Sequence, residues 1–207
     1  MQKDYDYLRK AKKGINYKNP LRRQVMASTV TEKKKYTYED YLKTPDDVRY
    51  ELIGGELLMT PSPETRHQRI SGKIVFALEK FVTENDLGEI FHAPCDVHLN
   101  DENVVQPDIL FISKDRLNII GEKNIERAPD LTIEILSEST AYRDLVQKKK
   151  LYSRFGVKEF WIVIPGEESI EVYILKHNSY LLQSTYTKNE IIESPYLKVF
   201  KIDLKGI

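Results

Sequence analysis

One cysteine, Cys95, stands in 207 residues. A lone thiol excludes an intramolecular disulfide framework and a cysteine-based zinc cage. No apolar run approaches the roughly 18–20 residues that a bilayer-spanning helix needs. The opening stretch MQKDYDYLRKAKKG has no apolar segment of the signal-peptide kind, so a cytoplasmic location is the expectation. Phosphate-binding loops, the Rossmann fingerprint and zincin motifs are missing too, which removes the common nucleotide and zinc-protease chemistries. Cys95 has His92 and His98 nearby, but strand alternation puts it opposite both, so no Cys–His dyad forms. There is no internal repeat. Net charge is absent as well, at 32 basic against 32 acidic residues.

That balance hides an asymmetry. Residues 1–35 carry eleven Lys or Arg against three Asp or Glu, a net of +8, and residues 36–207 carry 21 against 29, a net of −8. A basic arm thus precedes an acidic body; such arms contact nucleic acid or remain solvated tails. Residues 1–30 are expected to be mobile, and translation from Met26 is an alternative start. Residues 36–207 are read as one domain.

Hydrophobic residues at 41% and charged residues at 31% suit a globular chain with a core. Thr37 to Lys43 reads as a short capped helix ended by Pro45. Val48–Met59 reads as a hairpin around Gly54-Gly55. A helix is expected over Glu64–Asn85, with Ile70, Ile74, Leu78, Phe81 and Val82 on one stripe. Strands are expected at Glu89–Leu99, Val104–Ser113 and Leu131–Ser137, then a helix over Thr140–Phe155 with Gly156 beyond its end. Glu159–Ile164 is nearly all apolar, hence a strand buried on both faces. Ser169–Leu175 with Tyr180–Tyr186 form an antiparallel pair, and Tyr196–Leu204 is a last strand. The order implies an α/β domain on a mixed sheet, framed by β-hairpins.

Acids stand where apolar residues belong. Gln106 and Asp108 share a face with Val104, Leu110 and Ile112, and Pro107 makes that strand irregular. Glu134 lies between Ile133 and Ile135. Burying a carboxylate costs several kcal/mol unless it is compensated. A salt bridge, a raised pKa or a shared divalent cation would each account for the pair. Leu145, Lys148, Tyr152 and Phe155 fall on one inward helix face; Lys149 is on the flank, turned by about 100° toward solvent, and Lys150 points away. Asp144 can hold the Lys148 ammonium as an i,i+4 partner. The plainer alternative is a lysine that snorkels to water.

From about Tyr36 to Ile174 the chain resembles the Uma2 family, assigned as endonucleases within the PD-(D/E)XK nuclease-like superfamily. The matching stretches are YELIGGEL (50–57), PSPETRHQRI (61–70), VVQPDILF (104–111), APDLTIEILSEST (128–140), the D-x3-K-x3-Y pattern at Asp144, Lys148 and Tyr152, and GVKEFWIV (156–163). The resemblance implies a restriction-endonuclease-like αβββαβ core, with Pro107-Asp108 as the PD element and Glu134 as the second acid. It departs at position 136, where the superfamily lysine is replaced by Leu136; Lys148 from the following helix fits that role.

The implied activity is a Mg²⁺- or Mn²⁺-dependent endonuclease acting on DNA. Asp108, Glu134 and the backbone carbonyl of Ile135 would hold the cation, and Lys148 would orient or deprotonate the attacking water. Glu51 is either a further ligand or a surface strand acid. His67 is either a neighbour of the site or a satisfied core histidine. Gln106 and Asp144 would surround the ligands. A homodimer is expected for cutting both strands. A binding protein without turnover, or a hydrolase of RNA or a small phosphoester, are the alternatives.

Overall fold

The computed structural model describes residues 34–45, 47–137, 141 and 143–203. The expected arm, apart from Lys34 and Lys35, lies outside the described residues. Thr37 caps α1 (Tyr38–Tyr41) through a reciprocal box: its hydroxyl accepts from the Asp40 amide while the Asp40 carboxylate accepts from the Thr37 amide. β1 (Tyr50–Ile53) and β2 (Glu56–Met59) form the expected hairpin. Its turn requires φ of +60° and +80° at Gly54 and Gly55, a region that a side chain disfavours.

α2 (Thr65–Glu84) buries Ile70, Ile74, Leu78 and Val82, a four-residue spacing that keeps one seam inward. Each such burial stabilises by roughly 1.5–3 kcal/mol. Four strands follow: β3 (Gly88–His92), β4 (Val97–Asn100), β5 (Asn103–Val105) and β6 (Ile109–Ser113). Then come β7 (Leu131–Ile135), a π-helical segment (Arg143–Lys148), α3 (Lys149–Phe155) and β8 (Glu159–Ile164). β9 (Ser169–Lys176), β10 (Ser179–Thr187), β11 (Ile191–Glu193) and β12 (Lys201–Asp203) complete the described residues.

The main sheet has the order β10-β9-β8-β7-β6-β3, with only β7 and β8 parallel. Reading α2, β3, β6, β7, the second helical segment and β8 in turn gives the expected αβββαβ core. A four-stranded sheet, β2-β1-β5-β4, and the β11-β12 ribbon are separate. The main sheet is covered on both faces. Ile109, Phe111, Ile133 and Trp161 pack with the α2 seam. Leu110, Ile112, Phe160 and Ile162 pack with Leu151, Tyr152 and Val157. β8 therefore contributes to both cores, as its unbroken apolar run implies.

Three expectations need correction. Glu89–Leu99 is two strands in different sheets, parted by Pro94, which has no amide to give a ladder. Val104–Ser113 likewise divides at Pro107 into β5 and β6. The proposed strand Tyr196–Leu204 shrinks to Lys201–Asp203. Before it the chain turns: the Phe200 amide donates to the Leu197 carbonyl and the Leu197 amide to Ser194 Oγ. That turn buries both Leu197 and Phe200, three residues apart, which a straight strand would put on opposite faces.

Candidate active site

The β6–β7 ladder ends at the pair Ile109 and Ile133. One step beyond stand Asp108 and Glu134. There the Asp108 side chain takes over from the backbone, its Oδ2 accepting from the Ile135 amide at 2.7 Å. The Asp108 carbonyl accepts from the Ala93 amide, which ties the same residue to the end of β3. His67, from the first turn of α2, brings Nε2 to 3.1 Å from Asp108 Oδ2. It lines the cavity, which is the first of the two readings.

Glu134 shares its strand face with Thr132, toward α3, and is 2% exposed. Oε1 accepts from the Tyr152 hydroxyl at 2.5 Å and Oε2 from Lys148 Nζ at 3.0 Å. Lys148 ends the π-helical segment and is 4% exposed. Its ammonium also lies 2.9 Å from Glu51 Oε1 and 3.4 Å from Asp144 Oδ1, so it does not snorkel. Glu51 comes from β1 of the other sheet and is 1% exposed, which removes the reading as a surface acid. π-Helical turns are rare and recur where a side chain must be re-aimed at a functional site. Lys149, by contrast, rests over the Tyr173 ring at 3.3 Å instead of turning to solvent.

Two participants were not singled out from sequence. Arg143 donates to Glu51 Oε2 at 3.0 Å, to Thr60 Oγ1 and to the Met59 carbonyl, pinning β2 and the following loop to the helical segment. Its signal was its place directly before Asp144. Tyr152 belonged to the recognised pattern, but nothing in the spacing assigned its hydroxyl to Glu134.

These groups border a cavity of about 310 Å³. Asp108, Glu134, Lys148, Ile135, Glu51, Gln106, Asp144 and His67 all line it. Five carboxyl side chains there (Glu51, Glu64, Asp108, Glu134, Asp144) meet three cationic ones (Arg49, Arg143, Lys148), a formal excess of two negative charges with His67 and His92 counted as neutral. Burial works against the Lys148 ammonium, yet the carboxylates of Glu134, Glu51 and Asp144 outweigh it and raise its pKa well above the ordinary value. Burial raises the Glu134 carboxyl well above its ordinary value; Lys148 pulls it down, and Asp144, Asp108 and Glu51 push it up further. For His67, burial lowers the pKa, but the Asp108 hydrogen bond and charge prevail and raise it. Tyr152 is raised well above the ordinary tyrosine value by burial and by Glu134. Hard oxygen donors with two surplus charges suit a divalent cation of the Mg²⁺ kind. Among the described residues no three Asp, Glu, His or Cys side chains stand as a finished cage, because three of the acids converge on Lys148.

The family profile of Uma2, described as "Putative restriction endonuclease", matches residues 38–205. The chain belongs to the Uma2 family. Among curated proteins none matches. A crystal structure titled as a putative nuclease belonging to DUF820 from Anabaena variabilis is similar at a TM-score of 0.68 and 21% identity. That match covers 82% of this chain and 96% of the other, and it shows a shared fold. In this Uma2 chain the cavity lies at the ends of β6 and β7, and the lysine that lines it, Lys148, comes from the π-helical segment. No helix among the described residues is long and apolar enough to cross a membrane.

Proposed function

We propose that the protein is a divalent-cation-dependent endonuclease that hydrolyses phosphodiester bonds in DNA. The observation that carries the reading is the Lys148 ammonium, buried at the open end of β6 and β7 and held 3.0 Å from Glu134. A lysine enclosed by acids is costly to assemble. Its use is chemical: an ammonium fixed beside a phosphate site stabilises negative charge as it develops and orients the water that attacks.

Asp108, Glu134 and the Ile135 carbonyl would hold Mg²⁺ or Mn²⁺, with waters and a substrate phosphate completing the shell. The bound cation would supply charge stabilisation on the phosphate and a more acidic water. Asp108 is oriented for this by the Ile135 amide and by His67. Glu51 and Asp144 keep Lys148 charged and aimed, and Arg143 keeps Glu51 in place. A homodimer would put one such site on each strand of a duplex.

A cleavage assay on duplex DNA, single-stranded DNA and RNA, with Mg²⁺, Mn²⁺ or EDTA, tests the reading. Cleavage of DNA that needs the cation and disappears in Asp108→Ala supports it. Cation-independent cleavage, or equal cleavage by Asp108→Ala, sinks it. Cleavage of RNA alone would move the substrate, and DNA binding with no cleavage under any cation would make the chain a binding protein.

A further inference from the structure

Gln106 has a polar end that no group among the described residues uses. Its Nε2 donates to Asp96 Oδ1 at 2.8 Å. Its Oε1 is buried and has no partner among the described residues. The assignment of the two ends is fixed by chemistry, since the Asp96 carboxylate only accepts and must face the amide nitrogen. Asp96 is itself anchored by the Tyr41 hydroxyl, 2.9 Å from both carboxylate oxygens. The Gln106 backbone amide donates to Glu51 Oε1 at 2.9 Å, which seats the residue directly beside the Lys148 cluster. Gln106 lines the cavity, whereas Asp96 and Tyr41 do not. The chain thus spends a three-residue relay on orienting one amide, and the orientation leaves an acceptor unsatisfied.

A buried orphan acceptor is costly to the fold and calls for a ligand that donates to it. No protein donor among the described residues reaches this atom, and the surplus of carboxylates in the cavity suits a hydrated cation. We propose that Gln106 Oε1 accepts a hydrogen bond from a water in the shell of the divalent cation, and that Asp96 and Tyr41 exist to hold the amide in that sense. Gln106 is then a positioning residue, acting through the water. This inference rests on the proposed cation site and deepens it. Partners of this kind, one step out from the ligands, commonly set metal affinity by 10–100-fold.

Calorimetric titration of Mn²⁺ into the full-length chain at fixed pH reads the effect without any turnover, with thermal melting run alongside to show that each variant is folded. Gln106→Met keeps the side-chain length and removes both polar atoms; it should weaken Mn²⁺ binding by about 10-fold. Asp96→Asn, outside the cavity, offers the amide a donor and lets it turn its oxygen away, so it should weaken binding in the same direction. The double variant Asp96→Asn/Gln106→Glu restores a donor–acceptor pair with an oxygen toward the cavity, and it should bind at least as tightly as wild type. Gln183→Met, on exposed β10, should leave binding unchanged. If Gln106→Met does not fold, the Asp96 variants decide alone. Wild-type affinity in a folded Gln106→Met or Asp96→Asn chain overturns the inference and leaves the cation site standing. Absence of Mn²⁺ and Mg²⁺ binding by the wild type overturns the cation site, and this inference with it.

Discussion

Asp130 and Glu134 stand at the two ends of β7, and both are buried, at 0% and 2% exposure. Their surroundings are opposite in sense. Asp130 accepts from Ser113 amide and hydroxyl at 2.9 and 2.8 Å, and from Tyr196 Oη at 3.1 Å. Lys158 and Arg116 add ion pairs at 2.7 and 2.9 Å. Burial alone would raise this carboxyl, but the bonds from Lys158, Ser113 and Arg116 outweigh it and bring it down to about 2. Glu134 shares one ammonium with Glu51 and Asp144, and it borders a cavity. An acid with more donors than it needs is fastening the fold. Glu134 has one donor on each oxygen, Tyr152 and Lys148, and borders the cavity of the proposed cation site.

The largest expected difference comes from the two lysines. Lys148→Ala leaves three buried acids without their shared cation and should cost about 3–5 kcal/mol in EDTA, read by urea or thermal unfolding. Mn²⁺ should return a good part of that loss, and more than it adds to wild type, because a second cation can take over the same carboxylates. Lys158→Ala leaves Asp130 with four other donor atoms and a half-exposed position vacated, so it should cost far less. Equal losses for the two lysines would erase the contrast.

Next in size are the acids themselves. The folded value of Asp130 lies below its ordinary 3.8, so its contribution is full above about pH 4 and is lost as pH falls toward 2. The shift is worth about 2 kcal/mol. Asp130→Asn should remove that pH-dependent part and lower the Tm by several degrees, at roughly 2–4 °C per kcal/mol. The matched change Glu134→Gln removes a surplus acid and should hold or raise the Tm in EDTA. A fall of equal size in both variants would mean that the two ends of β7 do the same job.

The smallest effect belongs to Lys149. Its ammonium over the Tyr173 ring should stabilise by about 0.5–2 kcal/mol. Lys149→Ala should therefore show a modest loss on unfolding.

Periodicity exposed the elements that carry long apolar seams, such as α2, and those with strong turn chemistry, such as Gly54-Gly55. It also put Glu134 and Lys148 in the interior, since each interrupts an apolar pattern. Pro94 and Pro107 were visible, but which strand fragment joins which sheet depends on contacts far away in the chain. Glu51 illustrates the limit: alternation in a short hairpin strand gives two faces and does not say which one a distant helix will cover. Arg143 and the Tyr152–Glu134 bond arise only once the π-helical turn fixes the helix phase. Asp96 and Gln106 face each other one step beyond the Val97–Val105 pair of the β4–β5 hairpin, a pairing hidden as long as Glu89–Leu99 is read as one strand. Lys149 was assigned to solvent because its helix phase was known and the position of β9, with Tyr173, was not.

Cleavage of DNA in Mg²⁺ or Mn²⁺ by Lys148→Ala and Lys149→Ala tests the central claim most directly, because the two residues are adjacent and identical in charge. Loss of a positioned electrostatic or proton-transferring group should lower the rate by about 10²-fold or more in Lys148→Ala, measured at a temperature where the variant is folded. Lys149→Ala should cleave nearly as the wild type does, with any deficit fading as salt rises. Similar losses in the two variants, with an active wild type, would remove Lys148 from the chemistry and reduce its cluster to packing.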